Sequence, residues 1–188
     1  MDAQSPTGTV GDPLANSSPV RFAWLRTTPT GGSCEAGHYV GKFDGTYNAA
    51  FGLGLPVAAT DSTDLATGKV LPGLEFTLNK KPGSEILAIS GGKIRGTANG
   101  LFPFQIDLLG NLDCSTGKFT GTMDGYYEFP LTVKNPFLGT VTADYNKITH
   151  QFINGTWTLH EPQADGGLPP IGPPPGGSGH WNADLTKP

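Results

Sequence analysis

Large apolar residues and glycine alternate with polar residues along most of the chain between residues 34 and 161. In "CEAGHYVGKFDGTY" (34–47), Tyr39, Gly41, Phe43, Gly45 and Tyr47 share one parity, and Val40, Lys42, Asp44 and Thr46 share the other. A strand sends successive side chains to opposite faces, so each parity becomes a face. The pattern returns in "CSTGKFTGTMDGYY" (114–127), where Phe119, Gly121, Met123, Gly125 and Tyr127 oppose Lys118, Thr120, Thr122, Asp124 and Tyr126. Six of the fourteen positions are identical, so the two segments are expected to be equivalent strands. A third copy, "GKIRGTANGLF" (92–102), sets Ile94, Gly96, Ala98, Gly100 and Phe102 against Lys93, Arg95, Thr97 and Asn99.

Period-2 alternation repeated this often specifies β structure, and a polar second face specifies an antiparallel sheet wetted on one side. Glycine on the apolar face has two physical readings. It lets a strand bend or bulge, or it leaves room for a large aromatic on a neighbouring strand. A different reading makes "DG" at Asp44 and Asp124, and "NG" at Asn99, hairpin turns that halve the strands. The continuous-strand reading is preferred because parity carries through all three sites.

Other segments extend the count. "GLEFTLNKKPGSEILAISGG" reads as a hairpin, with Leu74, Phe76 and Leu78 before the turn and Ile86, Leu87 or Ala88, and Ile89 after it. "FPFQIDLLGNLDC" aligns Phe104, Ile106, Leu108, Gly110, Leu112 and Cys114. "FINGTWTL" (152–159) aligns Ile153, Gly155, Trp157 and Leu159. Residues 47–68 contain Ala and Leu but also Gly52, Gly54 and Pro56, which break a helix, so a loop with one helical turn is expected. The prediction is an all-β antiparallel meander of about eight to ten strands, closed as a barrel or folded as a two-sheet sandwich.

The ends differ from the middle. Residues 1–20 are polar and apt for a flexible tether, and "VRFAWL" (20–25) offers a first short strand. No signal peptide is visible; Met1 is taken as other than the natural start, with an export signal upstream. The domain is placed at 21–188. It includes a Pro-rich loop at 162–178 and a last strand at 179–185, where Trp181, Ala183 and Leu185 share a face.

Charge narrows the partners. Only 15% of residues are charged and the net charge is −4, so no basic footprint exists for nucleic acid or anionic lipid. No run of about 18 apolar residues marks a transmembrane helix. Cys34 and Cys114 each stand three residues before a glycine that opens an equivalent strand. In an exported protein the expected state is one disulfide between them; two buried free thiols are the alternative.

Motifs for chemistry are scarce. His38, His150, His160 and His180 form no H-x-x-x-H or H-E-x-x-H pattern, and two Cys 80 residues apart lack metal-ligand spacing. Ser178 in "GGSGH" departs from G-x-S-x-G at its last position. Asp61 and Asp64 in "DSTD" suit a solvated loop better than a Ca²⁺ site. Asp107 and Asp113 work as an acid–base pair only if a cleft joins them. No catalytic residue, cofactor or metal is therefore expected. Among the aromatics, Trp24, Trp157, Trp181 and Tyr126 fit a stacking platform for sugars or an apolar cage, but parity sends Trp157 and Trp181 inward. Tyr126, beside Asp124 on the polar face, is the candidate surface contact. Sequons stand at Asn16 and Asn154.

The recurring G-T-x-x-G-x-aromatic strands, with "GGKIRGTANGLFPFQIDLLGNLDCSTGKFTGTMDGYY", resemble the Gly-rich β-domains of uncharacterised bacterial surface lipoproteins and secreted proteins. The resemblance spans roughly residues 34–185. It implies export, envelope attachment and β structure, and it carries no catalytic residues. A lipidated Cys ahead of the tether, usual in such proteins, is not in this chain. The "GTY" and "GTW" strands are also similar to avidin-type ligand barrels, with no set of ligand residues to carry over. The expected function is an exported surface interaction or structural module whose partner is a protein, glycan or small ligand. A small-ligand barrel and an envelope-polymer hydrolase are the alternatives.

Overall fold

The computed structural model describes residues 33–48, 54–128, 133–162 and 176–186. All belong to the second of two compact units, 31–188. The tether at 1–20, the strand at 20–25, Trp24 and most of the Pro-rich loop lie outside the described residues.

Among the described residues eleven strands follow in order: β1 (Gly37–Asn48), β2 (Gly54–Ala59), β3 (Ser62–Thr63), β4 (Val70–Leu71), β5 (Leu74–Lys80), β6 (Ile86–Ala98), β7 (Phe102–Asp113), β8 (Lys118–Glu128), β9 (Lys134–Asn146), β10 (Gln151–His160) and β11 (Gly176–Leu185). From β5 onward each strand pairs antiparallel with the next, and β11 pairs with β1. The result is a closed antiparallel barrel of eight strands plus an extra one, β2. Of the two architectures the sequence allows, the barrel is the one formed.

The extra strand has a simple origin. The half of β1 near Gly37 pairs with β5, and the half near Asn48 pairs with β2. β6 is shared in the same way. Thus β2 and β5 occupy one stave of the wall, interrupted by residues 60–73. The backbone ladder bridges the interruption: Thr60 N–H donates to Arg95 O (3.0 Å) and Arg95 N–H donates to Gly73 O (2.7 Å). Asp61 Oδ1 accepts from Gly73 N–H (2.9 Å) at the neck of this excursion. Its outer part is the β3–β4 ribbon. Asp64 there accepts from Ala66 N–H and the Thr67 hydroxyl, which hold its carboxyl below the usual range.

Parity is obeyed almost everywhere. Tyr39, Phe43 and Tyr47 are buried on β1, as are Phe119 and Met123 on β8 and Phe104, Ile106, Leu108 and Leu112 on β7. An eight-stranded barrel is just wide enough for its own side chains to fill. Here buried rings occupy it: Trp157 stacks on Phe43 (4.6 Å between centroids, 14°). Phe152 sits lower, among Tyr39, Phe76, Phe119, Tyr145 and Trp181, each with a centroid within 5.5 Å of its own. Both buried indoles are satisfied, Trp157 Nε1–H by Asp44 O (2.9 Å) and Trp181 Nε1–H by Thr142 O (3.0 Å). Among the described residues no buried side-chain polar atom lacks a partner.

The two ends of the barrel differ. At the end holding Tyr39, the disulfide Cys34–Cys114 ties the approach to β1 to the exit of β7, with Cα atoms 5.7 Å apart. Tyr39 O–H and Tyr145 O–H lie 2.9 Å apart, and Tyr39 also donates to Glu35 O. These contacts fix the chain where it enters the barrel.

Several expectations are corrected. Residues 54–59 form strand β2 with Val57 buried, and not a loop with a helical turn. The alternatives at "DG" and "NG" divide: Asp44 and Asp124 lie within strands, whereas Asn99 (φ 53°) turns the chain between β6 and β7. On β6 it is Leu87 and Ile89 that enter the core, while Ile86 is exposed. On β10 the register shifts between Phe152 and Gly155, with Asn154 at φ 53°, so Phe152 is buried and Ile153 faces out. The last strand begins at Gly176, three residues inside the expected loop, which puts Ser178 in the wall.

Candidate functional site

The outward rows of the wall are mostly polar, with Lys42, Asp44 and Thr46 on β1, Asp107 on β7, Thr120 and Thr122 on β8 and Thr140 and Thr142 on β9, although Leu109 on β7 and Leu138 on β9 are also exposed there. This reverses the arrangement of a lipid-facing barrel, whose outer band is apolar. No helix among the described residues is long and apolar enough to cross a membrane.

Strand register assembles the main surface feature. Asp107 on β7 stands directly opposite Asp124 on β8, and Gln105 stands opposite Tyr126. On the far side of β8, Tyr126 pairs with Pro136 of β9. These residues, with Gly125 and Lys134, line an outer-wall groove with a volume of about 390 Å³. Every lining side chain stands on a strand, so the groove is a rigid feature of the wall.

Its electrostatics are balanced. Asp107 pairs with Lys93 across the β6–β7 ladder. Lys134 Nζ lies 4.0 Å from the centre of the Tyr126 ring, within cation–π range, and braces that half-buried ring. Asp124 is exposed and makes no ion pair among the described residues. Two carboxylates placed directly opposite each other on neighbouring strands destabilise a sheet. The groove therefore combines acceptors, donors, an aromatic ring and an electrostatic cost in one place.

A second polar cluster closes the mouth of the barrel opposite the disulfide. Glu161 Oε1 accepts from Tyr47 O–H (2.7 Å) and Tyr127 O–H (2.9 Å), and the two rings lie 5.5 Å apart. Burial first, and then the Glu161 carboxylate, push the Tyr127 hydroxyl up to about 12 and the Tyr47 hydroxyl higher still. Its hydrogen bonds are mutually satisfied, and it acts as a latch where β10 ends.

The sequence candidates fall as follows. Asp124 and Tyr126 lie together in the groove. Trp157 and Trp181 are core residues, 1% and 3% exposed. Asp107 and Asp113 are not brought together: they lie six residues apart on one strand, about 20 Å. Asp113 instead organises the β7–β8 turn, accepting from Ser115 N–H and its hydroxyl. His38 lies 3.5 Å from Glu75, and His150 Nδ1 lies 3.2 Å from Tyr145 O–H. Among the described residues no group of three His, Cys, Asp or Glu is placed to hold a metal. Gln105, Lys134 and Pro136 escaped sequence reasoning because their neighbours are set by register, and no local motif announces it.

The fold and groove define a closed antiparallel barrel whose described interior is packed with aromatic and aliphatic side chains, with a recess on its outer wall. No family model, curated protein or solved structure matches the chain.

Proposed function

We propose that this chain is an exported β-domain of the cell envelope or extracellular space that acts as a surface interaction module, working through its outer wall. One observation carries the reading: aromatic and aliphatic side chains pack the interior, while the recess lies outside. A ligand barrel of the avidin or lipocalin kind needs an open interior, and buried rings such as the stacked Trp157 and Phe43 occupy the interior of this one. The disulfide supports the exported setting, because such bonds persist in oxidising compartments.

Retention on envelope polysaccharide fractions tests the proposal, alongside titration with fatty acids and apolar dyes. The module reading expects saturable retention on at least one fraction and no saturable quenching of tryptophan fluorescence. Saturable quenching by an apolar ligand, without retention on any fraction, overturns it in favour of the ligand barrel.

A further inference from the structure

The wall groove is built for a particular chemistry. Asp107 and Asp124 offer carboxylate acceptors, Lys134 offers ammonium donors, and Gln105 and the Tyr126 hydroxyl offer both. A ligand that must satisfy all of these presents groups that donate and accept together, as a sugar hydroxyl does. Charge points the same way. Lys93 pairs with Asp107, and Lys134, over the Tyr126 ring, lines the same groove as Asp124. The two acids and two bases sum to zero, which favours a neutral occupant over a strongly charged one. The size is suitable, because 390 Å³ lies near the small end of the range of about 300–1,000 Å³ for small-molecule sites.

From this we infer that the groove between β7, β8 and β9 is a subsite for a neutral saccharide unit. The inference rests on the outer-wall reading above. Asp124 binds adjacent ring hydroxyls through its two oxygens, Gln105 and Lys134 complete the polar contacts, and Tyr126 supplies the apolar wall. The direct opposition of Asp107 and Asp124 then has a use: hydroxyl donors placed between the two carboxylates relieve their mutual repulsion. One such subsite binds weakly, so useful retention on a surface requires many copies of the domain or a repeating polymer.

The test uses the full chain on an array of neutral and charged glycans, with titration calorimetry on any hit. Tyr126→Ala and Asp124→Asn are compared with Asp113→Asn, which lies at the opposite end of β7. The expected result is binding to at least one neutral saccharide, weakened tenfold or more by both groove variants and unchanged by Asp113→Asn. Circular dichroism identifies any variant that has lost its fold, and Asp124→Asn, being isosteric, is the one that decides. Binding that survives both groove substitutions overturns the inference. So does an array with no neutral hit. If retention on an envelope fraction is lost in both variants yet is competed only by a Lys-rich peptide, the saccharide class is wrong and the outer-wall reading stands. If retention is unaffected by either variant, the subsite inference falls and the module reading stands, whereas saturable quenching by an apolar ligand without retention overturns both.

Discussion

Trp157 occupies the space that Gly45 leaves on the neighbouring wall. A Cβ at Gly45 would lie 2.5 Å from Cζ2 of that indole, and one at Gly179 would lie 2.7 Å from its Cε2. Some glycines of the apolar parity are thus the counterpart of the aromatics, because the missing side chain admits a ring, whereas Gly41 and Gly139 meet backbone and aliphatic atoms and no ring. Gly155 serves Trp181 in the same way, at 2.5 Å from its Cδ1.

A Cβ at Gly45 would also lie 2.4 Å from the backbone oxygen of Ser178, so Gly45→Ala should cost about 1–3 kcal/mol through overpacking against both ring and backbone, read as a lower urea midpoint with an unchanged slope. Gly83→Ala is the contrasting case. Nothing lies within 4 Å of that position, but φ is +71°, so its cost of about 1–2 kcal/mol comes from backbone strain alone. Pairing Gly45→Ala with Trp157→Phe separates the two origins. The smaller ring should restore part of the loss at Gly45, and no core change should rescue Gly83→Ala.

This pairing also shows what the sequence made legible and what it did not. Parity alone assigned the inner face of β1, β7 and β8, because those strands run unbroken. It failed at Ile153, where Asn154 and the register shift insert an extra residue, and at Asn99, where the chain turns. Both sites read "NG", and so does Asn111's neighbourhood in reverse. Short-range sequence does not distinguish a glycine that completes a turn from one that admits a ring. Strand β2 was missed because its partners are the far halves of β1 and β6, visible only once the barrel closes. In the groove, the polar face of β8 exposed Asp124 and Tyr126. Their neighbours depended on register, which a single sequence does not state.

The disulfide closes a separation of 80 residues. Removing it by Cys34→Ser with Cys114→Ser should cost up to about 4.5 kcal/mol in the chain-entropy model. Equilibrium unfolding of the oxidised protein against the double variant measures it. The oxidised protein should show no free thiol when denatured without reductant.

Alkaline pH should open the barrel through its tyrosines. Burial raises the Tyr127 hydroxyl to about 12 against 10.0 when unfolded, and raises Tyr39 and Tyr47 further. A folded pKa above the unfolded one means stability that is fully present below pH 10 and lost as pH rises through the folded values. Tyrosinate absorbance should show these three titrating above pH 10, together with loss of the β-sheet signal. Glu161→Gln removes the carboxylate beside Tyr47 and Tyr127 and should lower the pH at which both titrate.

Asp124→Asn should stabilise the fold while weakening ligand binding. It removes a carboxylate facing Asp107, a change of about 0.2–1 kcal/mol, and the gain should shrink at high salt. Urea unfolding at low and high ionic strength checks the sign. A destabilised variant would show that Asp124 has a structural role that the groove reading does not include.

The central claim is that ligands meet the wall and leave the interior untouched. Nitrogen-15 NMR of the full chain, titrated with hydrolysed envelope polysaccharide, tests it directly. The indole N–H groups of Trp157 and Trp181 are bonded inside the barrel and report on the interior. The account predicts saturable shifts at the amides of Asp107, Asp124 and Tyr126 with both indole signals unmoved. Saturable movement of the indole signals, with the wall amides fixed, would contradict it.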